Sequence, residues 1–111
     1  MAHTAGFRDA IELAEHYNLH GADFAAATVT EYFEQADEFL GGPRQANTLE
    51  CRRLCRDGSL GDICRFDTVT QAFGVLSANK VIRTYYVPNP LIHLQATNLA
   101  YFQRECRKVI C

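Results

Sequence analysis

Apolar residues in the first third of the chain recur at helical spacing. Phe7, Ala10, Ile11 and Ala14 fall three and four residues apart and Gly21 stands where a helix would stop, so residues 6–19 are predicted to be helical. On that reading Asp9, Glu12 and His16 take the opposite face. His20 lies at the C-terminal end beside the glycine, where backbone carbonyls favour a protonated imidazole. A second helix opens on a capping box, Thr28 with Glu31, and its stripe of Val29, Tyr32, Phe33, Ala36, Phe39 and Leu40 demands burial. Gly41, Gly42 and Pro43 end it.

After Pro43 the period changes. TLECRRLC, DICRFD, AFGVLSA and KVIRTYYVP are short, rich in β-branched and aromatic residues, and separated by turn residues such as Asp57-Gly58, as an antiparallel meander requires. Pro88 and Pro90 close the last strand. In the tail TNLAYFQRECRKVIC, Thr97 or Asn98 caps a final helix with Leu99, Phe102 and Cys106 on one side. The predicted class is α+β: two N-terminal helices on a four-stranded antiparallel sheet, with a short C-terminal helix. It is read as one domain over 1–111, helical at 6–41, sheet at 48–88 and helical again at 97–109, with the helices on one sheet face and the other free for function.

Composition fits an ordinary globular domain, 48% apolar over 111 residues. No apolar run is long enough to cross a bilayer, and MAHTAGFRDA lacks the basic start and apolar stretch of a secretory signal. The net charge of −2 is distributed unevenly. Residues 1–50 carry nine acidic side chains against Arg8 and Arg44, a balance of −7, and residues 51–111 carry nine basic against four acidic, a balance of +5. A polyanion is therefore expected to meet the second half, where seven of the nine cations are arginine, the side chain whose planar fork grips phosphate.

Cys51, Cys55, Cys64, Cys106 and Cys111 are odd in number, so at least one thiol is left over within the chain. Their spacing lacks the paired CxxC knuckles of a zinc site, and thiols are expected ahead of disulfides, with zinc last. A thiol-dependent redox or zinc module rests on that count alone. A phosphate loop, a metal-binding HExxH helix and a GxSxG turn are all missing.

What remains is a metal-free set: His16, His20, Arg65, Lys80, Arg83, Thr84, Tyr85 and Tyr86. RNA cleavage through the 2′-hydroxyl needs a base, an acid and cations for the charge growing on the phosphorane, roles that suit histidine and arginine. Tyrosines beside such a site stack bases. Each residue also has a plainer reading. Thr84 is a β-former, the tyrosines are packing residues, Arg65 pairs with Asp62 or Asp67, and two histidines on a helix are surface residues.

In order, HYNLHGADF, TVTEYFEQADEFL, GDICRFDTVTQAFGVLSANKVIRTYYVPNP and TNLAYF resemble the C-terminal ribonuclease domains of bacterial polymorphic and contact-dependent inhibition toxins, the superfamily that joins barnase, EndoU, the tRNase colicins and RelE. The resemblance spans residues 10 to 103, and its most specific parts are the His-Gly with its following acidic-Phe and the Ile-Arg-Thr-Tyr-Tyr-x-Pro strand. It implies cofactor-free, metal-independent cleavage of RNA, often tRNA, by a domain delivered as part of a larger toxin into a competing cell's cytoplasm, and a cognate immunity protein. It places the family's catalytic residues on His20, His16, Arg65 and Thr84 and makes His93 a further candidate, which is expected to contact substrate together with Lys80, Arg83, Tyr85 and Tyr86 of the metal-free set. The chain departs from the pattern at Ala78-Asn79-Lys80 before the last strand, at Leu94 where a glycine usually follows the histidine, and in its cysteines. The alternative is a non-catalytic RNA-binding or protein-interaction domain on the same fold, favoured by the overall acidity.

Overall fold

A computed structural model describes residues 2–109. The α+β class holds, with four helices and a five-stranded mixed sheet among the described residues. In chain order these are β1 (Gly6–Phe7), α1 (Ala10–His20), a 3-10 turn (Gly21–Phe24), α2 (Val29–Gly41), β2 (Thr48–Leu54), β3 (Leu60–Asp67), β4 (Phe73–Leu76), β5 (Val81–Tyr86), α3 (Pro90–His93) and α4 (Asn98–Cys106). The strands lie in the order β1-β5-β4-β3-β2, antiparallel except for β1, which runs parallel to β5. No helix among the described residues is long and apolar enough to cross a membrane.

Two expectations fail at the N-terminus. Phe7 belongs to the extra strand rather than the first helix, paired with Ile82, and Asp9 caps α1 by accepting from the Glu12 N–H. The packed side of α1 is Leu13, His16, Tyr17 and His20, while Ile11 is 71% exposed. His16 thus lies on the inner face, opposite to the assignment from apolar spacing, and His20 lies there with it.

Helix α2 starts as its capping box dictates: Thr28 accepts from Glu31 N–H, and the Glu31 carboxylate accepts in return from Ala27 N–H. Tyr32, Ala36 and Leu40 are buried against Leu76, Ile82 and Tyr85 on one sheet face. Gly74 on β4 allows this approach. A Cβ there would lie 2.8 Å from a methyl of Leu40, itself buried. Gly74→Ala is expected to cost about 1–3 kcal/mol by overpacking, read as a lowered urea midpoint with an unchanged slope.

The opposite face is not free. Tyr101 and Phe102 of α4 pack on Cys64, Phe66, Phe73 and Val75, forming a second core. A Cys51–Cys106 disulfide ties α4 to β2, Cys55 is also disulfide-bonded, and Cys64 is a buried thiol. The preference for thiols is therefore corrected, and Cys111 lies outside the described residues. Arg53, 7% exposed, joins the same layer by donating to the Glu105 carbonyl and carboxylate and to Asp62.

Candidate functional site

Helix α1 ends at His20 and Gly21 follows it, where the residue must be small: a Cβ there would come within 2.7 Å of the Tyr17 ring. The chain tightens there into the 3-10 turn, which brings Asp23 back so that its Oδ2 lies 3.8 Å from His20 Nδ1. The same oxygen accepts from Val87 N–H at 3.2 Å, pinning the turn to the end of β5. The His20 ring stacks on Tyr86 with centroids 5.0 Å apart, and His16 lies 6.0 Å from it, one turn back.

Tyr86 continues the site toward α4. Its hydroxyl shares a hydrogen bond with that of Tyr101, whose ring stacks on His93 at 4.5 Å. His93 is fixed on both nitrogens: Gln95 N–H donates to Nδ1 at 3.0 Å, so the neutral ring carries its proton on Nε2 and gives it to Asn98 Oδ1 at 2.9 Å. His20, Asp23, Tyr86, Asn89, His93 and Tyr101 thereby line one cavity of 370 Å³, with Leu19 and Ile92 at its border.

Burial holds the His20 pKa below its ordinary value, reinforced by His16 and opposed by the Asp23 carboxylate. This reverses the expectation that the helix terminus would favour the imidazolium. At neutral pH the ring is a neutral imidazole with a lone pair to accept a proton. Burial, followed by the bond to Tyr101, pushes the Tyr86 phenol far above its usual range, so it stays a hydroxyl. The His20 shift has a signature in stability. Below pH 6.5 the unfolded chain takes up this proton before the folded one does, so stability is lost as pH falls from there through the folded pKa. Relative to His20→Gln, the wild type is expected to lose urea stability over that window and to match its slope above it.

The remaining sequence-derived residues divide. Thr84 shares a sheet face with Tyr86, since it pairs with Val75 on the α4 side. Arg83 is displaced by a β-bulge and its Nε donates to buried Asp62 at 3.0 Å, leaving the side chain 56% exposed. Lys80 stands exposed in the Ser77–Val81 hairpin with a left-handed φ of 65°. His16 is half-buried against Phe7, with Nε2 3.5 Å from Glu12 and Nδ1 without a partner.

Two placements depart from the roles expected from the sequence. Tyr85 points the other way from Tyr86, into the α2 core, its ring 3.9 Å from Phe24 and nearly parallel to it, so it presents no ring to a substrate. Arg65 lies on that same face, paired with Gly74. Its Nε donates to Glu50 at 2.7 Å, and its Nη1 to the carbonyls of Phe39 and Gly42 at 3.0 and 2.7 Å. It supplies the positive charge that the last turn of α2 lacks. None of these partners lines the His20 cavity.

Sequence reading missed Asp23, Tyr101 and Asn98 as site residues. Asp23 stands in the quoted HGADF stretch, three residues after His20, and that proximity was the available signal. Tyr101 reaches the cavity, and Asn98 the His93 ring behind it, only because α4 crosses the second sheet face.

Neither a family model nor a curated protein sequence matches the chain. Among solved structures, a ribonuclease from Escherichia coli complexed with its inhibitor protein superposes with a TM-score of 0.55 at 19% sequence identity, over 82% of this chain and 95% of that one. The two folds are alike.

Proposed function

We propose that the chain is a metal-independent endoribonuclease of the toxin type, acting on RNA, with tRNA the foremost candidate, and working at the His20 cavity. The observation that carries the reading is a neutral, partly desolvated histidine stacked on a protonated tyrosine, in a cavity whose far wall is a second, rigidly held imidazole. The likeness to a ribonuclease fold supports it.

In this mechanism His20 takes the 2′-hydroxyl proton and the freed oxygen attacks the adjacent phosphorus. His16, one turn back, gives a proton to the departing 5′ oxygen. The Thr84 hydroxyl and the exposed Arg83 guanidinium hold the phosphate oxygens as charge builds on them. Tyr86 and His93 offer ring faces to a base, and the products carry 2′,3′-cyclic phosphate and 5′-hydroxyl ends. Arg83 borders a different cleft, 560 Å³, shared with Arg8 and Asn79, and reaches the substrate's phosphate from that side. Arg65 keeps a supporting role, anchoring α2 to the sheet.

The charge asymmetry fits. Glu31, Glu34 and Glu38 line a groove with Tyr85, on the sheet face away from Tyr86, so these carboxylates do not oppose RNA at the cavity, where Asp23 is the acidic side chain of the lining. The inhibitor bound to the similar ribonuclease supports a cognate inhibitor here, as an immunity protein, and delivery within a larger toxin to a target cytoplasm completes the reading. Leu19 and Ile92, 74% and 79% exposed at the border of the cavity, suit such a protein contact.

The test is incubation of the purified chain with bulk tRNA in EDTA, products resolved on a denaturing gel and their ends analysed. Discrete fragments with cyclic phosphate ends are expected. Intact RNA that shifts on a native gel would replace the enzyme by an RNA-binding domain, the reading that overall acidity makes second.

A further inference from the structure

Three cysteines meet beneath α4. Cys51 on β2 is bonded to Cys106, the last residue of α4, and is also the register partner of Cys64 on β3. Cys64 is fully buried, and both Cys51 and Cys106 pack against the cluster that contains it. Directly opposed residues of an antiparallel pair have Cα atoms about 4.5–5.5 Å apart, inside the roughly 4.4–6.8 Å that a disulfide spans. Cys51 therefore has two sulfur partners within bonding range of its backbone position, one on α4 and one within the sheet.

The two pairings differ in what they hold. With Cys106, Cys51 latches the C-terminal end of the helix that supplies Tyr101 to the cavity and Asn98 to the His93 ring. With Cys64, it joins two strands already paired, and α4 keeps only noncovalent attachments. We propose that Cys51, Cys64 and Cys106 form a thiol–disulfide exchange site, in which Cys64 displaces Cys106 from Cys51 and unlatches α4. The Cys64 sulfur bonds to the Cys51 sulfur as the Cys51–Cys106 bond breaks. The bonding pair leaves with Cys106, which takes up the proton that Cys64 loses. One disulfide and one thiol stand on each side, so no external oxidant or reductant is consumed.

The latched state is protected by burial, which pushes the Cys64 thiol up to about 11 and keeps it protonated at neutral pH. The charges around it are Arg53 on β2, Asp62 on β3, Glu105 on α4 and Lys108 beyond it, and their effects are smaller than that of burial. Any event that lifts α4 hydrates this thiol and starts the exchange. The inference stands independently of RNA cleavage.

The experiment uses the full oxidised chain at mildly alkaline pH, with and without a trace of glutathione, quenched with N-ethylmaleimide and mapped by disulfide-linked peptide mass spectrometry. The expected product is a Cys51–Cys64 peptide pair with maleimide on Cys106 alone. Cys64→Ser is expected to suppress that singly labelled species about tenfold or more, since the displacing sulfur is gone. Cys106→Ser is expected to form the Cys51–Cys64 disulfide outright and to expose α4 to limited proteolysis. The proposal is overturned if Cys106 is labelled only together with Cys51, or if Cys51 and Cys64 remain thiols in oxidised Cys106→Ser. Because wild-type mapping needs no substitution, misfolding of either variant leaves the test decisive.

Discussion

His20→Ala is expected to lower the rate of tRNA cleavage in EDTA by about 10²–10⁴-fold, the usual worth of a positioned acid or base. The fold should survive, since the ring is stacked on Tyr86 at the cavity rather than enclosed in either core. A variant with unchanged near-ultraviolet dichroism and unchanged cleavage would remove His20 from the mechanism. The pH profile adds an independent check. Because burial holds the His20 pKa below its ordinary value, wild-type activity should persist below pH 6.5 and fall only through the folded pKa. Asp23→Asn removes the one effect that raises this pKa, so the acid limb should move to still lower pH.

How far this site was legible in the sequence follows from which signals are local. The capping box and broad stripe of α2, and the turn-punctuated segments of β2 to β5, are patterns that neighbouring residues carry by themselves, and they locate those elements. Strand β1 is two residues long and has no period, so Phe7 reads as helix until Ile82 of β5 pairs with it. The inner face of α1 mixes Leu13 and Tyr17 with two imidazoles, so a rule that seeks aliphatic spacing selects the wrong side. Tyr85 and Tyr86 are distinguished only by which sheet face meets α2, a tertiary fact. Arg65 shows the same limit: its position in the strand was readable, but its engagement with the end of α2 required the helix to be placed over it.

Arg53→Met is expected to destabilise the fold by about 3–5 kcal/mol, the cost of breaking a buried ion pair from one side. Arg53 stands two residues beyond Cys51 along β2, and both meet α4, at Glu105 and Cys106. There the guanidinium donates to the Glu105 carbonyl at 2.8 Å, the Glu105 carboxylate at 3.0 Å and Asp62 at 3.3 Å. Methionine keeps the apolar stem and its packing, so the loss reads the charge and not the volume. Lys108 at 2.9 Å and Arg104 at 3.4 Å remain near Glu105, and Arg83 remains on Asp62, all of them more exposed and able to compensate only in part. Against a total stability of roughly 5–15 kcal/mol this is a large share, and urea unfolding measures it directly. Since Glu105 is the neighbour of Cys106, the same substitution loosens the end of α4 that the disulfide holds. Arg53→Met should therefore make Cys106 more accessible to small thiols than in the wild type. A change below about 1 kcal/mol would mean that water satisfies both carboxylates, as at an exposed ion pair, and that α4 is held by its aromatic side chains and the disulfide alone.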